Sequence, residues 1–171
     1  MDKRLHFNDH LTESWATQIK DIVRRTGVFY DTEIVAAVNL LDGYLVQGGF
    51  GDDRCLVLLD GNSVQGFAIY GFSVTTIGTF DIYWLAVDPA LQGRGLGRKI
   101  MAEVERRVRA EGGQRIFLTT SALPIYEPAR KLYLSLGFVQ VGLLPDYFRT
   151  GDDLVYYYLK LEPQHEHCVN L

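Results

Sequence analysis

The stretch "DIYWLAVDPALQGRGLGRKIMAEVERRVRAEGG", residues 81–113, joins three unlike signals end to end. An apolar, aromatic run ends at Val87 and Asp88-Pro89 turns the chain. Gly93, Gly95 and Gly97 then fall within five residues, and Ile100, Met101, Val104 and Val108 recur at helical spacing up to Gly112-Gly113. This reads as a strand, a glycine-rich turn and an amphipathic helix. Glycine at such a junction permits positive φ and removes the Cβ that would hold a ligand away from the backbone. The first N–H groups of the helix lack internal partners and carry the positive end of its dipole. Together these features bind anions, phosphate above all. Gln92, Arg94 and Arg98 flank the turn, and the two arginines add full charge. A ligand-free turn is the plainer alternative, but three glycines cost backbone entropy.

The two common nucleotide loops fit poorly. A Walker loop needs Lys-Ser/Thr after its last glycine, and here Arg98-Lys99-Ile100 follows Gly97. A dinucleotide fingerprint needs Gly-x-Gly-x-x-Gly, and here the spacing is Gly93-x-Gly95-x-Gly97.

Working outward, residues 12–26 predict a helix with Trp15, Ile19, Ile22 and Val23 on one face, Thr12 as its cap and Gly27 as its stop. A second helix is expected over residues 32–46 with Ile34, Val35, Val38 and Leu41 on one face, followed by a break at "GGFGDD". "RCLVLLD" and "SVQGFAIYGFSV" form a hairpin about Gly61-Asn62. "TFDIYWLAV" reads as a central strand covered on both faces. "RIFLTT" is a further strand, and "EPARKLYLSLG" a short helix with Pro128 in its first turn and Gly137 at its end. "FVQVG" and "DLVYYYLKL" pair antiparallel. Helices and strands interspersed in this way predict an α/β domain with a mixed sheet. The 80–87, 98–111 and 115–120 unit is expected to be a crossover between parallel strands.

At 171 residues the chain suits a single domain. A net charge of −4 gives no broad electrostatic case for nucleic acid or an anionic membrane. No apolar run approaches the ~18–20 residues of a membrane span, and "MDKRLHFNDHL" lacks the core of a signal peptide. Cys55 and Cys168 stand in unrelated contexts and make no disulfide framework, so a reduced, cytoplasmic protein is expected. His165, His167 and Cys168 near the end form either an adventitious metal site or, more simply, part of a frayed tail.

The central motif resembles the acetyl-CoA-binding motif of the GNAT family of N-acetyltransferases, Gln/Arg-x-x-Gly-x-Gly/Ala, present here as Gln92-Gly93-Arg94-Gly95-Leu96-Gly97. A second family pattern, Ala-x-x-Leu-Tyr…Leu-Gly-Phe, stands at residues 129–138 as "ARKLYLSLGF". The resemblance covers residues 54 to about 142. It implies one N-acetyltransferase domain over residues 1–171, with its core at 54–161 and the last eight or so residues a tail. The implied fold is α/β, a mixed, mostly antiparallel sheet with a central splayed pair of parallel strands and helices on both faces. It further implies acetyl-CoA as cofactor and transfer of an acetyl group to the primary amine of a small molecule. The backbone of Leu85, Ala86 and Val87 would pair with the pantetheine amides, and the amides from Gly93 to Arg98 would hold the pyrophosphate. Many members carry Asn three residues before the Ala of the second motif. Here that position, beside the pantetheine arm, is Tyr126. Tyr133 matches the tyrosine that protonates the leaving thiolate. Asp81 stands four residues before Leu85, on the same strand face by period-2 alternation, where some members place a carboxylate base.

The chemistry is consistent with those types. An alkylamine near pKa 10.4 must lose a proton before it attacks, and a carboxylate can take it. A tyrosine near 10 can serve a thiolate near 8.5. No metal is required. The plain alternatives are a core tyrosine for Tyr133 and a solvated strand position for Asp81. Tyr83 shares the face of Asp81, while Trp84 points to the core. The elements left to wall the acceptor are residues 27–33 and 143–153, which combine aromatics with acids: Phe29, Tyr30 and Glu33 in the first, Asp146, Tyr147, Phe148, Asp152 and Asp153 in the second. Such walls suit a small cation. The expected partner is therefore a small-molecule amine, without nucleic acid or membrane, and a homodimer is allowed for. The competing readings are a non-catalytic acyl-CoA sensor of the same fold and a peptide or protein N-acetyltransferase.

Overall fold

A computed structural model describes residues 5–47 and 53–162. The histidines and cysteine near the end of the chain, and the tail expected there, lie outside the described residues. In chain order the elements are β1 (Leu5–Asn8), α1 (Glu13–Arg25), α2 (Asp31–Gln47), β2 (Arg54–Asp60), β3 (Ser63–Phe72) and β4 (Thr79–Val87). They continue with α3 (Leu96–Ala110), β5 (Arg115–Ser121), a short 3₁₀ turn (Pro124–Tyr126), α4 (Glu127–Ser135), β6 (Val139–Arg149) and β7 (Asp152–Lys160). The strands form one sheet in the order β1-β2-β3-β4-β5-β7-β6, in which β4 and β5 run parallel and the other pairs antiparallel. This is the mixed, mostly antiparallel architecture expected.

Two hydrophobic clusters lie on opposite faces. On one, α1 and α2 cover Cys55, Val57 and Leu59 of β2, Phe67 and Ile69 of β3 and Ala86 of β4. On the other, Ile100, Met101, Val104 and Val108 of α3 pack on Leu56, Leu58, Tyr70, Phe80 and Ile82. Each buried aliphatic side chain contributes about 1.5–3 kcal/mol. Gly66 sets how closely α3 approaches, because a Cβ there would lie 2.8 Å from both the Ala86 carbonyl oxygen and Ile100 Cδ1. The Thr12 hydroxyl caps α1 by accepting from Trp15 N–H at 3.3 Å. Helix α2 turns differently from the expected face: Ala37 and Leu41 are buried, while Val35 is 57% exposed. Among the described residues no helix is long and apolar enough to cross a membrane.

One irregularity decides the geometry of the site. Between β3 and β4 the register passes from Ile69↔Trp84 to Tyr70↔Ile82, so Tyr83 bulges out of the ladder. Before it, Phe80 and Ile82 face α3. Beyond it, Trp84 and Ala86 face α1 and α2, while Leu85 and Val87 face α3. The period-2 argument that put Asp81 and Leu85 on one face therefore fails, and the two side chains leave the sheet on opposite sides.

Candidate active site

The parallel pairing of β4 with β5 runs only from Thr79↔Arg115 to Ile82↔Leu118 and stops at the bulge. Beyond it, Trp84–Val87 is paired on the β3 side alone, and Thr119–Ser121 on the β7 side alone. The two strands splay, and the gap opens into a cavity of about 520 Å³. Leu85 and Val87 reach it from the α3 face and Trp84 from the α1–α2 face, so the cavity communicates with both sides of the sheet. An unpaired edge of backbone N–H and C=O groups forms one wall.

The start of α3 forms the second wall. Gly93 and Gly95 both have φ of 76° and nothing within 4 Å of a would-be Cβ, so what they supply is backbone conformation. The Asp88 carboxylate accepts from Ala90 N–H at 2.9 Å and is gripped by both terminal nitrogens of Arg25, also at 2.9 Å, which ties the turn to the end of α1. The first helical bond runs from Lys99 N–H to the Gly95 carbonyl at 3.1 Å, so the N–H groups of Leu96, Gly97 and Arg98 stand ahead of the ladder. Gln92, Gly93 and Gly95–Arg98 line the cavity. Gly97 also lets α4 close in, with Leu132 Cδ2 at 3.1 Å from a would-be Cβ. Arg98 donates to the Ser135 hydroxyl at 2.6 Å.

Tyr133 comes up from α4 on the α3 side. Its ring packs against Tyr157 and Phe138 at centroid distances of 5.7 and 6.1 Å. The residue is 7% exposed, and burial pushes the hydroxyl up to about 12. That hydroxyl makes no hydrogen bond to a described residue, yet no described side-chain polar atom is both sealed and unpartnered. The tyrosine lines the cavity, and its oxygen opens into it.

The far end is built from the α1–α2 connection, the 3₁₀ turn and the start of β7. Asp152 is fully buried and accepts from the Ser121 hydroxyl at 2.5 Å and the Tyr30 hydroxyl at 2.6 Å. The Glu33 carboxylate accepts from Tyr30 N–H at 2.8 Å. Burial raises the pKa of Glu33, the Tyr30 N–H opposes this, and the charge of Asp152 adds to the rise. The Tyr126 hydroxyl donates to the Val28 carbonyl at 2.7 Å, tying the 3₁₀ turn to the α1–α2 connection. Burial holds that hydroxyl well above the ordinary tyrosine range. Phe29 rests on Trp84 at 5.0 Å between centroids, and the Arg149 guanidinium covers the Tyr30 ring at 4.3 Å.

Of the residues singled out in the sequence, the cavity gathers Tyr133, Leu85, Ala86, Val87, Gln92, Gly93, Gly95, Leu96, Gly97, Arg98, Tyr126, Phe29, Tyr30, Glu33 and Tyr83. It does not take in Asp81, Arg94, Asp146 or Tyr147. Asp81 sits below the bulge, opposite Gly71 and Phe117, where burial raises its pKa and a hydrogen bond from Ser73 opposes the rise. Asp146 adopts a left-handed φ of 54° and its carboxylate accepts from Gly151 N–H at 2.6 Å, so it shapes the hairpin turn. Tyr147 is 59% exposed. The expected 143–153 connection is largely strand, since β6 runs to Arg149 and only Thr150-Gly151 separates it from β7. Sequence reasoning missed Thr119, Thr120 and Ser121, and took Trp84 for core alone. The signal for the first three was a polar end to an otherwise apolar central strand. Among the described residues no group of His, Cys, Asp and Glu gathers as a metal site.

Comparison with known proteins follows the same outline. The model of the acetyltransferase (GNAT) family matches residues 16–138. A GNAT-family protein of Desulfovibrio desulfuricans is 34% identical, with a TM-score of 0.86 over 92% of this chain and 99% of that one. A Salmonella typhimurium protein solved with its cofactor acetyl-CoA is 21% identical, with a TM-score of 0.72 over 97% and 99% of the two chains. The N-alpha-acetyltransferase RimI of Mycobacterium tuberculosis is 35% identical over 72 residues, 42% of this chain and 42% of that protein. The chain spans less than half the length of the curated relatives it matches.

Proposed function

The chain belongs to the acetyltransferase (GNAT) family, and we propose that it transfers the acetyl group of acetyl-CoA to the primary amine of a small molecule. One observation carries this: an unpaired strand edge and a bare helix N-terminus open on the same cavity as a tyrosine hydroxyl that bonds to no described residue.

The residues present fit the cofactor. The free edge of Tyr83–Val87 offers N–H and C=O groups to the amides of an extended pantetheine arm. The N–H groups of Leu96, Gly97 and Arg98, with the positive end of α3 behind them, would hold the pyrophosphate. Arg94 and Arg98 add charge at this end, Arg94 from outside the cavity lining. Acetyl-CoA supplies the activated acyl carbon as a thioester. Tyr133 donates a hydrogen bond to the sulfur as the carbon–sulfur bond breaks. Glu33, the half-buried acid in the cavity with a raised pKa, takes the proton that the ammonium must lose before its nitrogen bonds to the acyl carbon. Asp81, off the cavity, is not assigned this role.

The acids and rings gathered at the far end support a small cationic acceptor. Tyr126 to Val28 and Tyr30 to Asp152 tie together the elements that frame it. The test is release of free thiol from acetyl-CoA by the purified protein with a panel of amines, alongside calorimetry of acetyl-CoA alone. Binding without thiol release for any amine would mark a non-catalytic acyl-CoA-binding protein. Peptide amines used in preference to small ones would overturn the acceptor class.

A further inference from the structure

The charges around the cavity are arranged asymmetrically. Among the described lining residues the charged ones are Arg98, Glu33 and Asp152. Arg98 belongs to the first turn of α3 and is held by Ser135, at the cofactor end. The acceptor end therefore holds two acids and no cation. Two arginines stand outside the lining: Arg149 lies over the Tyr30 ring, and Arg130 donates to the carbonyls of Ser121 and Leu123 at 2.7 and 2.9 Å. The surface there carries the rings of Phe29, Tyr30, Tyr83, Trp84 and Phe148 beside Thr119, Thr120 and Ser121. The Tyr30–Asp152 and Tyr126–Val28 bonds tie together the elements that frame this end.

From this we infer that the acceptor is a monoamine with an aryl or alkyl body and no carboxylate, phosphate or other anionic group, taken up whole by the chamber. The inference rests on the transferase reading above and sharpens it. An ammonium group entering this end meets Glu33, with the charge of the fully buried Asp152 behind the Tyr30 and Ser121 hydroxyls, and its apolar body meets ring faces, which attract cations as well as hydrocarbon. An acceptor that also carries an anion must strip that group of water beside two negative charges, and among the described lining residues no cation at this end receives it. Free α-amino acids and amino sugar phosphates are thereby disfavoured, although they present the same nucleophile.

A matched pair isolates the claim. 2-Phenylethylamine and phenylalanine share the ring and the ammonium and differ by one carboxylate. With the full chain and acetyl-CoA, thiol release should give 2-phenylethylamine a kcat/KM at least about 100-fold above that of phenylalanine, the discrimination expected from burying an unpaired carboxylate. Phe148→Ala should raise KM for 2-phenylethylamine about fivefold or more while changing that for propylamine far less, because only the arylalkylamine loses a ring contact. Phenylalanine used as well as 2-phenylethylamine, or a C-amidated tripeptide used better than either, overturns the inference and leaves the transferase reading standing. Acetyl-CoA binding without thiol release for any amine in the panel overturns both.

Discussion

Replacing Tyr133 by Phe separates catalysis from packing with one atom. The ring is held by Tyr157 and Phe138, and those contacts survive the change. The hydroxyl bonds to no described protein group, so its loss leaves no partner unsatisfied and the melting temperature should hold or rise slightly. The effect on turnover depends on what the hydroxyl does. Burial pushes it up to about 12, whereas a free thiol titrates near 8.5, so full proton transfer to the thiolate runs uphill by about 3.5 units, close to 5 kcal/mol. Hydrogen-bond donation to the developing negative sulfur carries no such penalty and is worth about 1.5–3 kcal/mol. That converts to a loss of roughly 10- to 150-fold in kcat. Acetyl-CoA affinity should barely change, because the charge on sulfur exists only late in the reaction. With its hydroxyl near 12, Tyr133 also stays neutral through the usual assay range, so no alkaline limb below about pH 11 should belong to it. Steady-state kinetics, acetyl-CoA calorimetry and a thermal melt on the same preparation make the test. A kcat within twofold of the parent, or a fall in affinity as large as the fall in turnover, would refute the reasoning.

Gly95→Val forces a β-branched residue into a φ of 76°, so the turn must distort. Saturating acetyl-CoA at 100 times its dissociation constant stabilises a binding protein by about 2.7 kcal/mol, and that thermal shift should vanish in the variant while the unliganded melt remains cooperative. Glu33→Gln should remove the acid limb of kcat/KM, a limb lying above 4.5 because burial raises this group. A carboxyl with a raised folded pKa keeps its proton longer folded than unfolded, so it costs stability once pH passes 4.5 and climbs through the folded value. The Gln variant should therefore melt no lower than the parent at pH 7. Asp152→Asn sets an amide NH₂ against one of two hydroxyls that both donate; the loss of about 1–3 kcal/mol should appear as a fall of several degrees in thermal melts at neutral pH.

What the sequence made legible was local. Helix α3, its buried stripe and the glycines before it read off residues within a few positions of one another, and the structure buries all four stripe residues and adds Leu96 at the helix start. Helix α2 was legible as a helix but not in its rotation, because apolar residues surround it and no single stripe stands out. Strand β1 escaped notice: Leu5–Asn8 is extended only because it pairs with Val57–Asp60, some fifty residues away. The bulge was equally hidden, since nothing in "DIYWLAV" distinguishes Tyr83 from a paired residue, and alternation carried through it assigns Asp81 to the wrong face. The acids of the far end meet through a contact between Tyr30 and Asp152, 122 positions apart, so composition marked both loops while pairing decided which acid turned inward.

The bulge also explains why one site can serve two substrates. A regular β4 would stay in register with β5 and close the sheet, leaving the α3 face and the α1–α2 face without a passage between them. One inserted residue marks the end of the parallel ladder at Ile82 and reverses the facing of everything after it. Leu85 and Val87 then line the α3 side, beside the helix N-terminus and Tyr133, while Trp84 lines the side of Phe29, Tyr30 and Glu33. For the transfer proposed above, a thioester laid along the free edge would come from the α3 face and an amine from the α1–α2 face. On this reading Tyr133 and Glu33 act from opposite faces of the sheet, each on the atom that reaches its own side.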